Sequence, residues 1–301
     1  MTHRFWLSTM NRFWLSTMTG CMALAIGCGA PLCAQERFDS PDAAVQALIQ
    51  ATDSHDSARL TAIFGPEAQG ILTSGNPTQD RNEQSEFARL ARANHRLVTA
   101  RIDPNRVILS IGDEDWPFPV PICRKNGKWS FDASQAPVEM QARRIGADEL
   151  DAIEICHGYV DAQKQYASQD LDHDGVFAYA PHLMATAGHQ DGLYWAGTNQ
   201  PLVPEPMGRA ATQPYHGYYF HVLTSQGPDA PGGAHNYVVN HKMIGGFALV
   251  AWPAEYGVTG VHTFIVSYDG TVYQKDIPPV RGKSGPPVTT FDPDHSWEPV
   301  E

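Results

Sequence analysis

Cations are scarce in this chain. Its 301 residues hold 21 Lys and Arg against 33 Asp and Glu, a formal net charge of −12. Each phosphate contact needs a cation, so nucleic acid and anionic membrane surfaces are poor partners. Long apolar runs are also missing. The longest candidate, residues 21–28, is short and interrupted by Gly and Cys, so no transmembrane span is expected in the mature chain. Signatures of chemistry are lacking as well. There is no Gly-x-Ser-x-Gly, no P-loop, no dinucleotide fingerprint and no His-Glu-x-x-His. The five cysteines show no Cys-x-x-Cys and no Cys/His spacing for zinc.

What remains is globular. Apolar residues make up 42% and charged residues 18%, too apolar for disorder, and the length suggests about two domains. Residues 1–34 read as a secretory signal. Arg4 and Arg12 supply a positive start with no acid, residues 21–28 form a short apolar stretch, and Ala34 offers a small residue for cleavage. The heptapeptide Arg-Phe-Trp-Leu-Ser-Thr-Met occurs at 4–10 and again at 12–18, which reads as a duplicated leader or an ambiguous start rather than a solenoid. The expected destination is the periplasm or the exterior. The alternative is a lipoprotein cut before Cys28. Cleavage after Ala34 removes two cations and no acids, and the charge deepens to −14. It also leaves two cysteines, Cys123 and Cys156, which either pair in an oxidising compartment or sit apart as small buried hydrophobes.

The expected fold class is α+β, in two parts. Residues 35–146 read as a small α+β domain. Ser40-Pro41-Asp42 opens a helix that buries Val45, Leu48 and Ile49, Asp56 opens a second that Gly65-Pro66 stops, and a charged third covers 80–95. Strands follow at 96–102 and 106–111 around the turn Asp103-Pro104-Asn105. Residues 116–122 alternate as a proline-bearing edge segment, and Asn126-Gly127 turns into a strand at 128–132. Residues 147–277 read as a long helix opened near Asp148, with Ile153, Cys156, Val160 and Ala167 on its stripe and Tyr159 and Tyr166 beside it. Antiparallel strands at 216–223, 243–252 and 258–268 follow, with a hairpin at Tyr268-Asp269-Gly270-Thr271. Residues 278–301 form a polar, Pro-rich tail, expected to be loose.

Asp170, Asp172 and Asp174 with Gly175 have the spacing that opens a calcium loop, in which carboxylates two residues apart converge on one hard cation. The twelfth position is Pro181 where a bidentate Glu is needed, so the loop is incomplete. The competing reading is a solvated acidic turn. His216, Tyr218, Tyr219 and His221 alternate within one expected strand. A pairing of His216 and Tyr218 with Glu255, set among Trp252, Pro253 and Tyr256, would suit acid–base work, and aromatic sheet packing is the plainer account. Cys156 and His157 are adjacent on a helix and point about 100° apart, so they make no dyad. Gly232-Gly233 reads as a loop able to show backbone donors to a ligand. Trp116, Trp129, Trp195 and Trp252 are either core or platforms for sugar rings.

Several stretches carry a resemblance. They are Glu-Leu-Asp-Ala-Ile from 149, Tyr-Val-Asp-Ala-Gln-Lys-Gln-Tyr-Ala from 159, Asp-Leu-Asp-His-Asp-Gly from 170, Pro-Tyr-His-Gly-Tyr-Tyr-Phe from 214, the Gly-Gly-Phe-Ala-Leu-Val-Ala-Trp-Pro run from 245 and Phe-Ile-Val-Ser-Tyr-Asp-Gly-Thr-Val-Tyr from 264. Together they resemble a family of secreted bacterial proteins called domain of unknown function 2950, over about residues 36–296. That family has no established activity, so the resemblance implies no site residues. The first half also resembles the cone-shaped domains of nuclear transport factor 2, and the second resembles the globular heads of type IV pilins and pseudopilins. No apolar membrane helix leads into residue 147 as it does in pilins. Three functional readings follow. One is an exported envelope protein that binds or scaffolds another envelope protein or a glycan, with calcium pinning its second half. Another is a secreted hydrolase or lyase acting on cell wall or polysaccharide through His216, Tyr218 and Glu255. The third is a small-ligand binder that uses the first domain.

Overall fold

The structure, a computed structural model, describes residues 35–65, 68, 77–171, 173, 175–197, 200–282 and 285–300. Residues 1–34, expected to be a leader, and with them Cys28, lie outside the described residues. The fold is α+β, and it divides into two compact units between Arg143 and Arg144.

In the first unit, α1 (Pro41–Asp53) starts where Ser40 Oγ accepts the Ala43 N–H at 3.1 Å, and α2 (Ser57–Phe64) where Asp56 accepts the Arg59 N–H at 2.9 Å. Both caps stand where the sequence puts them. α3 spans Pro77–Ala93. The sheet follows as β1 (His95–Ala100), β2 (Asp103–Ile111), β3 (Trp116–Pro117), β4 (Ile122–Lys125) and β5 (Lys128–Phe131), all antiparallel in the order β1-β2-β4-β5 with β3 also on β2. The β1–β2 turn falls at Arg101-Ile102 and not at Asp103-Pro104-Asn105. A register shift between Thr99 and Ala100 pairs Ala100 with Asp103, so Pro104 begins a strand instead of turning one. Asn126 and Gly127 do turn, both at positive φ. Phe64, Phe87, Phe118 and Phe131 fill the interior ring against ring.

A short 3₁₀ turn (Ala133–Gln135) leads into α4, which runs unbroken from Ala136 to Tyr166. The helix opened at Asp148 is therefore a mid-helix stretch. Residues 136–147 are mostly good helix formers, and Gly146 alone does not stop them. Ala136 and Met140 belong to the first core, whereas Ala152, Cys156, Tyr159, Val160 and Tyr166 belong to the second. The stripe thus centres on Tyr159 instead of being flanked by it.

The second unit continues with the parallel pair β6 (His182–Met184) and β7 (Gly192–Tyr194), the short α5 (Glu205–Gly208), β8 (Tyr218–Leu223), and the two-residue strands β9 (Ser225–Gln226), β10 (His235–Asn236), β11 (Val238–Val239) and β12 (Lys242–Met243). β13 (Ala248–Pro253), β14 (His262–Ser267), β15 (Val272–Asp276) and β16 (Glu298–Pro299) complete a sheet in the order β16-β15-β14-β13-β8. The strand expected over 243–252 is broken. A Cβ on Gly245 would lie 2.7 Å from the Asn236 carbonyl, and Gly246 (φ 140°) packs against the Tyr237 ring, so the chain kinks before β13. One face of the sheet, with Tyr218, Phe220, Leu249, Ala251 and Phe264, packs on α4, where the Tyr159 hydroxyl donates to the Ala248 carbonyl. The other face carries Tyr273 and Lys275.

The tail expected to be loose is docked there. Phe291 is fully buried against Tyr273, Trp297 lies 5.5 Å from the Lys275 ammonium, and Val300 donates to the Val272 carbonyl. Two apolar residues in polar, Pro-rich sequence shed water there, Phe291 also bonded through its backbone to Ser225 and Gly227. No helix among the described residues is long and apolar enough to cross a membrane.

Candidate functional site

Residues 148–151 of α4 place three carboxylates against the loops of the sheet. Glu149 Oε1 accepts the Val261 and His262 N–H groups at 2.9 and 3.0 Å and lies 3.1 Å from His262 Nδ1. Asp151 Oδ2 lies 2.6 Å from His216 Nδ1. Asp148 is buried, 3.6 Å from Arg144. The partners of Glu149 and Asp151 come from positions more than sixty residues away, so sequence reasoning missed both as site residues. Their closeness on one helix turn was the one local signal.

His216 is not in a strand. His216 and Gly217 occupy the centre of a two-residue turn at φ 48° and 79°, closed by the Tyr215 N–H to Tyr218 carbonyl bond at 2.8 Å and its reciprocal at 3.1 Å. The expected alternation of His216 with Tyr218 therefore does not exist, since β8 begins at Tyr218. A Cβ at Gly217 would stand 2.6 Å from the Asp148 carboxylate, so the backbone approaches that acid as only glycine allows. The His216 ring packs edge-on against Tyr215 at 4.3 Å.

Tyr218 points elsewhere. Its hydroxyl donates to the His262 carbonyl at 3.0 Å, and burial pushes its pKa far above the ordinary phenol value. Glu255 is exposed on the turn before β14. Its backbone N–H donates to Thr259 Oγ1, and its carbonyl accepts the Val258 and Thr259 N–H groups. These bonds tie His216 to Asp151 and Tyr218 to His262, and bring neither to Glu255.

Asp170 Oδ2 accepts the Gly175 N–H at 3.0 Å and closes the acidic loop, whereas Asp172 and Asp174 lie outside the described residues. Among the described residues no three His, Cys, Asp or Glu side chains are grouped to hold a metal ion. Beside this loop runs a cleft of about 520 Å³, lined by Tyr166, Leu171, His173, Val176, His189 and Asp191 among others. Its rim is braced. The Tyr166 hydroxyl donates to the Gln190 carbonyl at 2.7 Å, and Asp191 accepts both the N–H and the hydroxyl of Thr186.

Of the two alternatives for Cys123 and Cys156, a bridge or two separate thiols, the structure has both as free thiols. Each belongs to its own unit. Cys123 is half-buried on β4, and Cys156 is enclosed in the α4 stripe, where burial pushes its thiol up to about 12. Gly232 and Gly233 lie in a loop held by Gln226, whose amide donates to the Pro231 and Gly233 carbonyls. Trp116, Trp129, Trp195 and Trp252 are all half-buried. Trp116 faces the Arg143 guanidinium and Trp129 that of Arg124, while Trp252 pairs with Tyr219.

Residues 35–300 match the model of the family described as Protein of unknown function (DUF2950), and the chain belongs to that family. No curated protein and no solved structure matches it.

Proposed function

We propose that this member of the DUF2950 family is an exported, non-enzymatic protein of the cell envelope that binds or scaffolds a partner, either another envelope protein or a glycan. The supporting observation is the way its polar groups are spent. Glu149 takes two backbone N–H donors and touches His262 Nδ1, and the Tyr218 hydroxyl is given to a backbone carbonyl. A phenol lifted by burial makes a poor proton donor near neutral pH. Such bonds anchor α4 to the sheet. Purified residues 35–301 are expected to leave cell-wall and polysaccharide substrates intact. Turnover that disappears in Glu255→Gln or His216→Ala would overturn the reading. Export is tested by fractionation, in which the full-length chain is recovered outside the cytoplasm and shortened at its N-terminus.

One observation favours the hydrolase or lyase reading, namely the 2.6 Å contact of Asp151 with His216. A carboxylate on Nδ1 orients an imidazole whose other nitrogen can then exchange a proton. On that reading Asp151, not Tyr218 or Glu255, is the partner of His216. The third reading, a small ligand in the first unit, draws no support from an interior where four phenylalanines pack together.

Calcium is part of the proposal, held by Asp170, Asp172 and Asp174. Its support is their spacing and the Gly175 N–H that closes the loop on Asp170. Titration with calcium is expected to raise the melting temperature as the ion loads, by about 2.7 kcal/mol of stability at a hundredfold excess over Kd. A flat response removes the ion.

A further inference from the structure

The loop between β9 and β10 is drawn together through its own carbonyls. Gln226 on β9 donates its amide to the Pro231 and Gly233 carbonyls at 2.7 and 2.8 Å. The Tyr237 hydroxyl donates to Gln226 Oε1 at 3.0 Å, which fixes the end of the amide that faces the loop. Gly232 and Gly233 turn at φ 90° and 74°, and the Gly233 N–H is spent inside the loop, on the Ala230 carbonyl at 2.9 Å.

His235 closes this loop from its other side. It stands across from Gln226 in the β9–β10 pair, with Nδ1 3.0 Å from the Gly233 carbonyl oxygen and Nε2 3.1 Å from the Gly245 carbonyl oxygen. Gly245 belongs to the kink before β13, so one side chain joins the two-glycine loop to that kink. Both neighbours are acceptors only. A neutral imidazole has one N–H and one lone pair, so it serves one oxygen while its lone pair faces the other. An imidazolium donates from both nitrogens. The residue is exposed, so a proton reaches it from solvent without any opening of the core. The titratable and charged groups on the surrounding elements are few. The Tyr237 ring stands edge-on at 5.6 Å and stays uncharged, since burial pushes its phenol up to about 12. Asp229 lies in the loop, its N–H donating to Asp292, and His241 and Lys242 lie at the turn from β11 to β12. Among the described residues none of them forms an ion pair with His235.

We propose that His235 is a pH-operated latch. Protonated, it ties the loop at Gly232-Gly233 to the kink at Gly245; as pH rises and the ring loses its proton, one of the two bonds is given up and the loop opens. This goes beyond the binding reading above and does not depend on it. The test is hydrogen exchange of the full chain at about pH 5 and about pH 8, corrected for the intrinsic dependence of exchange on pH, with α1 as internal reference. In wild type, amides of residues 231–237 are expected to exchange on the order of fivefold more slowly at the lower pH. His235→Gln keeps a donor that does not titrate, and its loop is expected to exchange alike at both. Equal exchange in wild type, or a pH response that survives in His235→Gln, overturns the proposal. If His235→Gln fails to fold, nitrogen NMR of the wild-type ring decides. Two N–H protons, each coupled to a carbonyl at about pH 5 and reduced to one at about pH 8, are expected, and a ring with a single bonded N–H at both overturns it.

Discussion

Gln163 shows what a single buried amide can hold. It is fully enclosed on α4, donates to the Tyr159 hydroxyl and the Ala180 carbonyl at 3.0 and 2.8 Å, and accepts the Ala180 N–H at 2.8 Å. Tyr159 passes the chain on to the Ala248 carbonyl. Gln163→Ala strands the Ala180 N–H and carbonyl in the core and takes one of two bonds from the Tyr159 hydroxyl, and is expected to cost about 2–4 kcal/mol in urea unfolding. Gln163→Met fills the space but not the bonds, so it should recover only part of that. Nothing in the sequence marks this residue. Ser40, Asp56 and Asn126-Gly127 were legible because a cap or a tight turn is settled by the nearest few residues. Gln163, Glu149 and Asp151 bond to groups 17 to 113 residues away, and no local pattern records that distance. His216, expected within the strand, lies ahead of it, because two positive φ values in succession keep residues 216 and 217 out of β8.

Among the elements, the segment from 285 to 300 departs most from its sequence. Its composition says linker, yet Phe291 and Trp297 sit in the second core and β16 pairs with β15. Phe291→Ala is expected to cost about 3–5 kcal/mol and to expose the segment to limited proteolysis while α1 and α2 stay resistant. The same segment carries a pH dependence. Ser296, through its hydroxyl first and then its N–H, holds the Asp294 carboxyl below its usual 3.8. A carboxylate lowered in the folded state stabilises above its unfolded pKa, and that contribution is lost as pH falls through the folded value. Between pH 6 and pH 3 the melting temperature of wild type is therefore expected to drop further than that of Asp294→Asn. α4 teaches the converse lesson. Its stripe of Cys156 and Val160 was readable from period alone, whereas its true start at Ala136 was not, because helix-forming residues simply continue back from Asp148.

At the scale of the molecule, two separate sets of buried residues divide the chain. The division between Arg143 and Arg144 falls within α4, where no Pro, Gly or Ser cluster marks a linker. Calorimetry of residues 35–301 is expected to resolve two transitions. Phe291→Ala should lower one of them, and Phe131→Ala, in the first core, the other. A single transition lowered by both substitutions would show that the two cores melt as one.

Burial of Phe291 also orders events in time. Residues 291–300 come after every strand they pack on, so Tyr273 and Lys275 lack these partners until the segment has emerged. A polypeptide in that condition has not locked its second half, and it stays threadable for as long as those residues are held back. For a chain carried across a membrane unfolded, a late closure of this kind delays the moment at which passage would stall.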